Sequence, residues 1–223
     1  MYCIIISMIR FHILSLFPES LTSYLGSSIL KRAQDASHLE VHLYNIRDFT
    51  TDKHRKADDR PYGGGPGMVM YAEPILAAIG EIKAKTNSKK TKILLTSPAG
   101  KLFSNTVAKA YSKKYTDIIL VCGHYEGIDA RVKRILKAEE ISIGPYILTG
   151  GELPALVMID SIARQIEGVL GDSDSVEENR VASSEVYTRP EILEYKGKKY
   201  RVPPVLLSGH HKKIEEWKRN TQK

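Results

Sequence analysis

The stretch KILLTSPAGKLFSNTVAKAYSKKYTDIILVCG (92–123) decides the fold, because it contains one complete strand–helix–strand unit. KILLTSP (92–98) and DIILVCG (117–123) are continuous apolar runs, as expected of parallel strands that are covered on both faces. Between them, residues 104–115 have the apolar spacing of a helix. Two strands joined by a helix of this length predict a βαβ unit and a parallel sheet.

The same alternation of strands and helices extends in both directions from this unit. We predict further strands at residues 11–17, 39–46 and 140–144, and further helices at residues 20–36, 72–85 and 128–137. Another helix begins at GELPAL (151–156), where Pro154 suits the first helical turn. The pattern predicts an α/β fold.

Composition excludes several classes of protein. The 223 residues contain only two cysteines, Cys3 and Cys122, which provide neither a disulfide framework nor a zinc spacing, so we expect a reducing, cytoplasmic location. The apolar N-terminus is interrupted by Arg10 and His12, and it has no basic leader or cleavage site, so we expect neither a signal peptide nor a membrane span. Met8 is a plausible alternative start.

The net charge of +7 is unevenly distributed. Residues 1–186 contain 23 Lys/Arg and 22 Asp/Glu, whereas residues 187–223 contain 10 and 4. The basic end indicates either a polyanionic partner or a solvated, lysine-rich surface, and charge alone leaves both open. Composition also predicts three parts: a catalytic domain at 8–167, a linker rich in Gly, Ser, Asp and Glu at 168–186, and a small, mainly helical C-terminal domain at 187–223.

Three loops follow predicted strands, at residues 96–103, 122–129 and 143–154. Ligands of open parallel sheets bind at the carboxyl ends of strands, so these loops predict one common ligand site. A fourth loop, DDRPYGGGPGMVM (58–70), is long for a compact domain; it is either a mobile surface loop or one that closes over a phosphate-bearing or flat aromatic ligand. There is no P-loop, no G-x-G-x-x-G motif and no His/Cys cluster, which argues against a nucleotide triphosphatase, a dinucleotide oxidoreductase and a catalytic metal.

Six motifs, read in order, resemble the bacterial tRNA (guanine-N1)-methyltransferases of the TrmD type. They are DDRPYGGGPGMVM (58–70), LTSPAGK (95–101), CGHYEGIDARV (122–132), SIGPYILTGGELPALVMIDSIAR (142–164), YTRPE (187–191) and VPPVLLSGHHKKIEEW (202–217). The resemblance implies a SPOUT-type parallel sheet with a C-terminal trefoil knot. It also implies a homodimer whose active sites are built across the subunit interface, and methyl transfer from S-adenosylmethionine to N1 of guanine 37 of tRNA, with S-adenosylhomocysteine as product.

The resemblance assigns sixteen positions to the pocket for S-adenosylmethionine. The segment 143–148 offers an apolar slot and backbone partners for an adenine ring. Glu126 would offset the positive charge of the donor or orient its ribose, unless it serves only as a carboxylate near a helix N-terminus. The positions are Thr96, Ser97, Pro98, Gly100, Gly123, Tyr125, Glu126, Gly127, Ile143, Gly144, Pro145, Tyr146, Ile147, Leu148, Gly150 and Gly151.

Methylation of guanine N1 requires loss of the N1 proton, and negative charge then builds at O6. By resemblance, Arg164 is the cation near O6, and an aspartate in the linker is the general base. Asn179 occupies that aspartate position, and an amide cannot remove a proton. Glu178 is the adjacent candidate, with Glu177, Asp174 and Asp172 as further alternatives. The substitution also suggests an alternative function, a relative that binds tRNA and S-adenosylmethionine with weak or no catalysis.

The C-terminal part is expected to hold the anticodon stem through its positive charges. These are Arg189, Lys196, Lys198, Lys199, Arg201, Lys212 and Lys213. The family normally continues well past the position of Trp217, so the domain is expected to be truncated. Magnesium stimulation is also implied by the resemblance, but no ligand cluster identifies a site.

Overall fold

The computed structural model describes residues 8–170 and 185–221, and the chain divides after Leu170 into two compact units. In the described part of the first unit, a parallel sheet has the strand order β2-β1-β6-β5-β7. Its strands are β1 (Ile9–Ser15), β2 (Leu39–Asn45), β5 (Thr91–Leu102), β6 (Asp117–Val121) and β7 (Glu139–Ser142). The α/β fold predicted from the alternation of strands and helices is therefore confirmed.

Helices cover both faces of this sheet, which explains the continuous apolar runs in β5 and β6. Successive side chains of a strand point to opposite faces. Leu94 and Leu120 accordingly join one buried cluster, while Leu95 and Val121 join the other. The helices are α1 (Glu19–Leu25), α2 (Ser28–Asp35), α3 (Ala72–Thr86), α4 (Asn105–Lys114), α5 (Ala130–Leu136) and α6 (Glu152–Ala163).

Two local predictions need correction. The helix predicted over residues 20–36 is two helices, because α1 ends at Gly26 and Ser27 adopts an extended backbone before α2 begins. The strand predicted at residues 92–98 continues to Leu102 as β5, and its pairing with β7 shifts register between Thr96 and Lys101. Both segments pair with Ile141, so the intervening residues bulge away from the regular ladder.

The glycine-rich loop (58–70) has its own small anchor. Its ends form the antiparallel pair β3 (Asp58–Asp59) and β4 (Val69–Met70), shortly after a 3-10 helix at Ile46–Phe49. Tyr71 donates a hydrogen bond from its hydroxyl to Asp59 Oδ2 at 2.8 Å, which ties the two ends together. The tip of the loop is thus held at a defined place beside the sheet.

The described part of the second unit contains a hairpin and two helices. The hairpin joins β8 (Ile192–Tyr195) to β9 (Lys198–Arg201) through Lys196 and Gly197, both with positive φ as a tight hairpin turn requires. The helices are α7 (Pro204–Leu207) and α8 (His211–Asn220), and the ring of Trp217 in α8 lies 6.3 Å from that of Tyr187. Helices were predicted for this unit, but the hairpin was not.

Candidate active site

The three predicted ligand loops meet at one edge of the sheet, where β5, β6 and β7 end. They enclose a cavity of about 480 Å³, which is within the ordinary range for a small-molecule site. The segment after β7 returns to the end of β6, because Gly151 N donates a hydrogen bond to Gly123 O at 2.8 Å. The trefoil knot implied by the resemblance stays a prediction.

Nearly all of the positions expected to bind the donor line this cavity. Gly100 and Pro145 are the exceptions among the sixteen. Gly100 instead allows close packing of β5 on β7, because a Cβ there would lie 2.4 Å from Ile141 N. The lining positions are Thr96, Ser97, Pro98, Gly123, Tyr125, Glu126, Gly127, Ile143, Gly144, Tyr146, Ile147, Leu148, Gly150 and Gly151.

Thr96 fixes the loops relative to one another. Its hydroxyl Oγ1 accepts a hydrogen bond from Gly123 N at 2.9 Å and donates one to Val121 O at 3.2 Å. A Cβ on Gly151 would lie 2.0 Å from this same Oγ1 and 2.7 Å from the Cα of Cys122. Position 151 therefore has no room for a side chain, and the close approach of α6 to the ends of β5 and β6 depends on glycine.

The wall formed by residues 143–148 is apolar and open. Ile147 is 86% exposed, and the side chains of Tyr146 and Leu148 are also exposed. Gly144 lies under the ring of Tyr146, where a Cβ would come within 2.3 Å of ring atom Cε1. Exposed apolar groups beside tightly packed backbone form a slot for a flat aromatic ring.

The glycine-rich loop is fastened to the cavity by backbone hydrogen bonds. Glu126 N donates to Met68 O at 3.0 Å, and Met70 N donates to Gly127 O at 2.9 Å. A Cβ on Gly67 would lie 2.5 Å from Glu126 Oε1, so loop and cavity wall are in direct contact there. Tyr62, near the tip, is fully exposed.

Sequence reasoning missed His124, which also lines the cavity. Its ring packs between Phe17, with centroids 5.2 Å apart, and Tyr125, with centroids 4.7 Å apart. Its Nδ1 is buried and has no hydrogen-bond partner within the described residues. The signal was present, since His124 lies inside the motif CGHYEGIDARV between two positions assigned to the donor.

The charged side chains on the far wall are paired. Lys133 contacts Glu140 at 2.5 Å, and Arg131 contacts Asp129 at 2.6 Å. Hydrogen bonds from Arg131 lower the pKa of Asp129. Cys122 beneath the cavity is no nucleophile, because burial raises the pKa of its thiol well above the usual value.

The proposed catalytic residues are only partly covered by the structure. Arg164 immediately follows α6 as its C-terminal cap. Glu178 and Asn179 lie outside the described residues, as do Glu177, Asp174 and Asp172. Within residues 8–170 and 185–221, no group of three His, Cys, Asp or Glu side chains is placed to hold a metal ion. The helices of the same residues are too short or too polar to cross a membrane.

Comparison with known proteins gives a consistent result. The family model described as tRNA (Guanine-1)-methyltransferase TrmD matches residues 9–223. A protein of Clostridioides difficile (strain 630) named tRNA (guanine-N(1)-)-methyltransferase is 51% identical over 214 residues, which cover 94% of this chain and 90% of the relative. A protein of the same name from Desulforamulus reducens is 46% identical, covering 94% and 82%.

A solved structure agrees with the sequence matches. The tRNA (m1G37) methyltransferase from Aquifex aeolicus superposes with a TM-score of 0.77 at 40% identity. The match covers 95% of this chain and 88% of that one.

Proposed function

The chain belongs to the tRNA (guanine-1)-methyltransferase family, and we propose that it transfers the methyl group of S-adenosylmethionine to N1 of guanine 37 in tRNA. As a member of this family it is a tRNA (guanine-N1)-methyltransferase with a SPOUT-type α/β fold. The observation that most directly supports the donor is the cavity, where fourteen of the sixteen expected positions converge. The relatives are named as methyltransferases, which favours an active enzyme over a relative with weak or no catalysis.

The cavity fits S-adenosylmethionine in three respects. The apolar slot at Tyr146, Ile147 and Leu148 suits the adenine ring, and the glycines at 144 and 151 bring backbone close enough to bind its edge. Glu126 supplies a carboxylate beside the space for a positively charged donor. When bound, the sulfonium supplies an electrophilic methyl group.

The protein must also remove a proton from guanine N1 and stabilise the charge that develops at O6. Arg164 is the proposed cation, because a guanidinium stays charged at any working pH and donates hydrogen bonds in a fixed plane. Glu178 is the proposed base, with Asn179 beside it accepting a hydrogen bond through its carbonyl oxygen. The glycine-rich loop, anchored to Glu126 and Gly127, would enclose the guanine once it leaves its stack.

A homodimer is part of the proposal. Leu153 and Val157 are one helical turn apart on α6, and they are 60% and 44% exposed. Tyr24 of α1 lies beside this face, with its hydroxyl donating to Asp160 Oδ2 at 2.5 Å, and its ring is also half exposed. An exposed apolar face next to the cavity supports an active site completed by a second subunit.

The second unit is proposed to hold the anticodon stem. The exposed hairpin presents Lys196, Lys198 and Arg201, and α8 begins with Lys212 and Lys213 in its first turn. Lys199 pairs with Glu194 at 3.0 Å across the two strands, and Arg189 precedes β8. Positive side chains on exposed backbone are typical of phosphate contacts. A tRNA substrate also supports a cytoplasmic location.

A methyl-transfer assay tests the function. The assay uses tritiated S-adenosylmethionine and two transcripts that differ only in guanine or adenine at position 37. We expect incorporation into the guanine transcript alone. Absence of incorporation while the donor still binds, measured by calorimetry, would contradict an active enzyme.

Arg164→Gln tests the assigned cation in the same assay. We expect the single-turnover rate to fall about 100-fold or more, the scale typical for loss of one donor to a developing oxyanion, with the donor Kd unchanged. A weaker donor Kd with an unchanged rate at saturation would instead place Arg164 in donor binding.

A further inference from the structure

A second cavity opens at the opposite edge of the sheet, where β5 begins. Its volume is about 530 Å³, and four of its lining residues are Lys83, Lys89, Lys92 and Lys137. It shares no lining residue with the donor cavity. No step of the proposed reaction uses it, so the concentration of lysines there needs its own explanation.

Three helices end around this cavity and bring the lysines together. α3 and α5 end at Asn87 and Lys137, both in the left-handed conformation, and α4 ends at Tyr115. Lys90 O accepts hydrogen bonds from Thr116 N at 3.0 Å, which fixes the segment after α3 against the end of α4. We name the resulting surface the lysine edge; it comprises Lys83, Lys85, Lys89, Lys90, Lys92, Lys113, Lys114 and Lys137.

Most of these charges are uncompensated. Lys85 pairs with Glu81 at 2.5 Å, and Lys92 pairs with Glu139. Within the described residues, the other lysines have no acidic side chain at ion-pair distance. They are Lys83, Lys89, Lys90, Lys113, Lys114 and Lys137, and all are exposed.

Helix ends alone do not account for this arrangement. A cation near a helix C-terminus interacts favourably with the helix dipole, which suffices for Lys83, Lys113 and Lys114. Lys89 and Lys90 lie beyond the end of α3, and they add like charge to a surface that already repels itself. Such a surface is stabilised when a polyanion binds across it.

We propose that the lysine edge binds the phosphodiester backbone of the substrate tRNA, at phosphates outside the anticodon stem-loop. This inference rests on the proposed function, which supplies the polyanion. Lysine ammonium groups are point charges that contact phosphates without reading base edges. The strands separate the two cavities by about five residues, or roughly 16 Å. Phosphates that reach the lysine edge while guanine 37 is in the donor cavity therefore belong to more distant parts of the tRNA.

The variant Lys89→Gln/Lys90→Gln tests the proposal in the full-length enzyme. Each lost phosphate contact lowers the salt dependence by about 0.7 to 0.9 in log–log slope, so the slope of KM against salt should fall by about 1.5. KM for full-length tRNA should rise roughly tenfold at about 0.1 M salt, with kcat unchanged. Lys31→Gln/Arg32→Gln, an equal loss of charge from the exposed face of α2, is the matched control and should behave as wild type.

A 17-nucleotide anticodon stem-loop substrate distinguishes the location of the contact. On this substrate the variant and wild type should have equal KM. Equal KM on full-length tRNA as well, at low salt, would overturn the lysine edge as an RNA site, and a tenfold defect on both substrates would place the contact inside the stem-loop and overturn our assignment. Failure of wild type to methylate either RNA would instead refute the proposed function.

Discussion

The carboxylate of Asp117 should be a major pH-dependent source of stability. It is fully buried at the start of β6, and it accepts hydrogen bonds from Arg10 Nε at 2.7 Å and Arg10 Nη2 at 2.9 Å. His12 Nε2 lies 3.2 Å from Oδ1, and Thr116 Oγ1 donates to Oδ2 at 2.9 Å. Burial alone would raise the pKa of Asp117, but these hydrogen bonds outweigh it and lower the pKa from 3.8 to about 2.

The magnitude follows from the pKa. Each pH unit of displacement corresponds to about 1.36 kcal/mol, so the ionised carboxylate stabilises the folded state by about 2.5 kcal/mol at neutral pH. Because the pKa is lowered on folding, this contribution is complete above the unfolded pKa of 3.8 and disappears as the pH falls toward 2. Roughly half of it should remain at pH 3.

Urea unfolding of wild type and Asp117→Asn, at pH 7 and pH 3, measures this contribution. We expect the variant to lose about 2.5 kcal/mol of unfolding free energy at pH 7, and about half as much at pH 3. Asp35→Asn is the control, since the exposed pair of Asp35 with Lys31 should contribute at most about 0.5 kcal/mol. A loss below about 1 kcal/mol at pH 7, or an equal loss at both pH values, would refute the reasoning.

Three further results are expected. Gly151→Ala should weaken donor binding at least tenfold by calorimetry because its Cβ would meet Thr96 Oγ1, whereas Gly80→Ala on exposed α3, with nothing within 4 Å, should bind normally. Glu178→Gln should slow single-turnover methylation more than Asn179→Ala; equal or opposite losses would remove Glu178 as the base. Leu153→Glu should shift the protein to monomers in sedimentation, and an unchanged dimer would exclude α6 from the interface.

The sequence predicted the strands around the cavity better than it predicted their neighbours. Apolar runs report burial on both faces, which is why β5 and β6 were recognised from residues 92–98 and 117–123. Periodicity does not report which strand pairs with which, so it gave no indication that β6 lies between β1 and β5. The extension of β5 to Leu102 was missed for the same reason, since its pairing partner Ser142 is distant in sequence.

Most of the site was predictable because its loops follow consecutive strands, but the resemblance was needed to select residues within them. His124 shows the limit of this approach. Its place between two expected donor positions was visible, yet the contacts of its ring with Phe17 depend on where β1 ends in space. Arg164 shows the opposite case, because a lone arginine at the end of a helix has no distinguishing local pattern and only the motif SIGPYILTGGELPALVMIDSIAR (142–164) selects it.

The glycines of the loop at residues 58–70 meet two separate physical requirements. Gly63, Gly64 and Gly65 have positive φ with nothing within 4 Å, so glycine there allows the backbone to turn. Gly67 has positive φ as well, but a Cβ would also collide with Glu126. The first three make the tip deformable, whereas the last fixes the base of the loop to the donor cavity. A loop that is deformable at its tip and rigid at its base can adapt to a flipped guanine without losing its position relative to the donor.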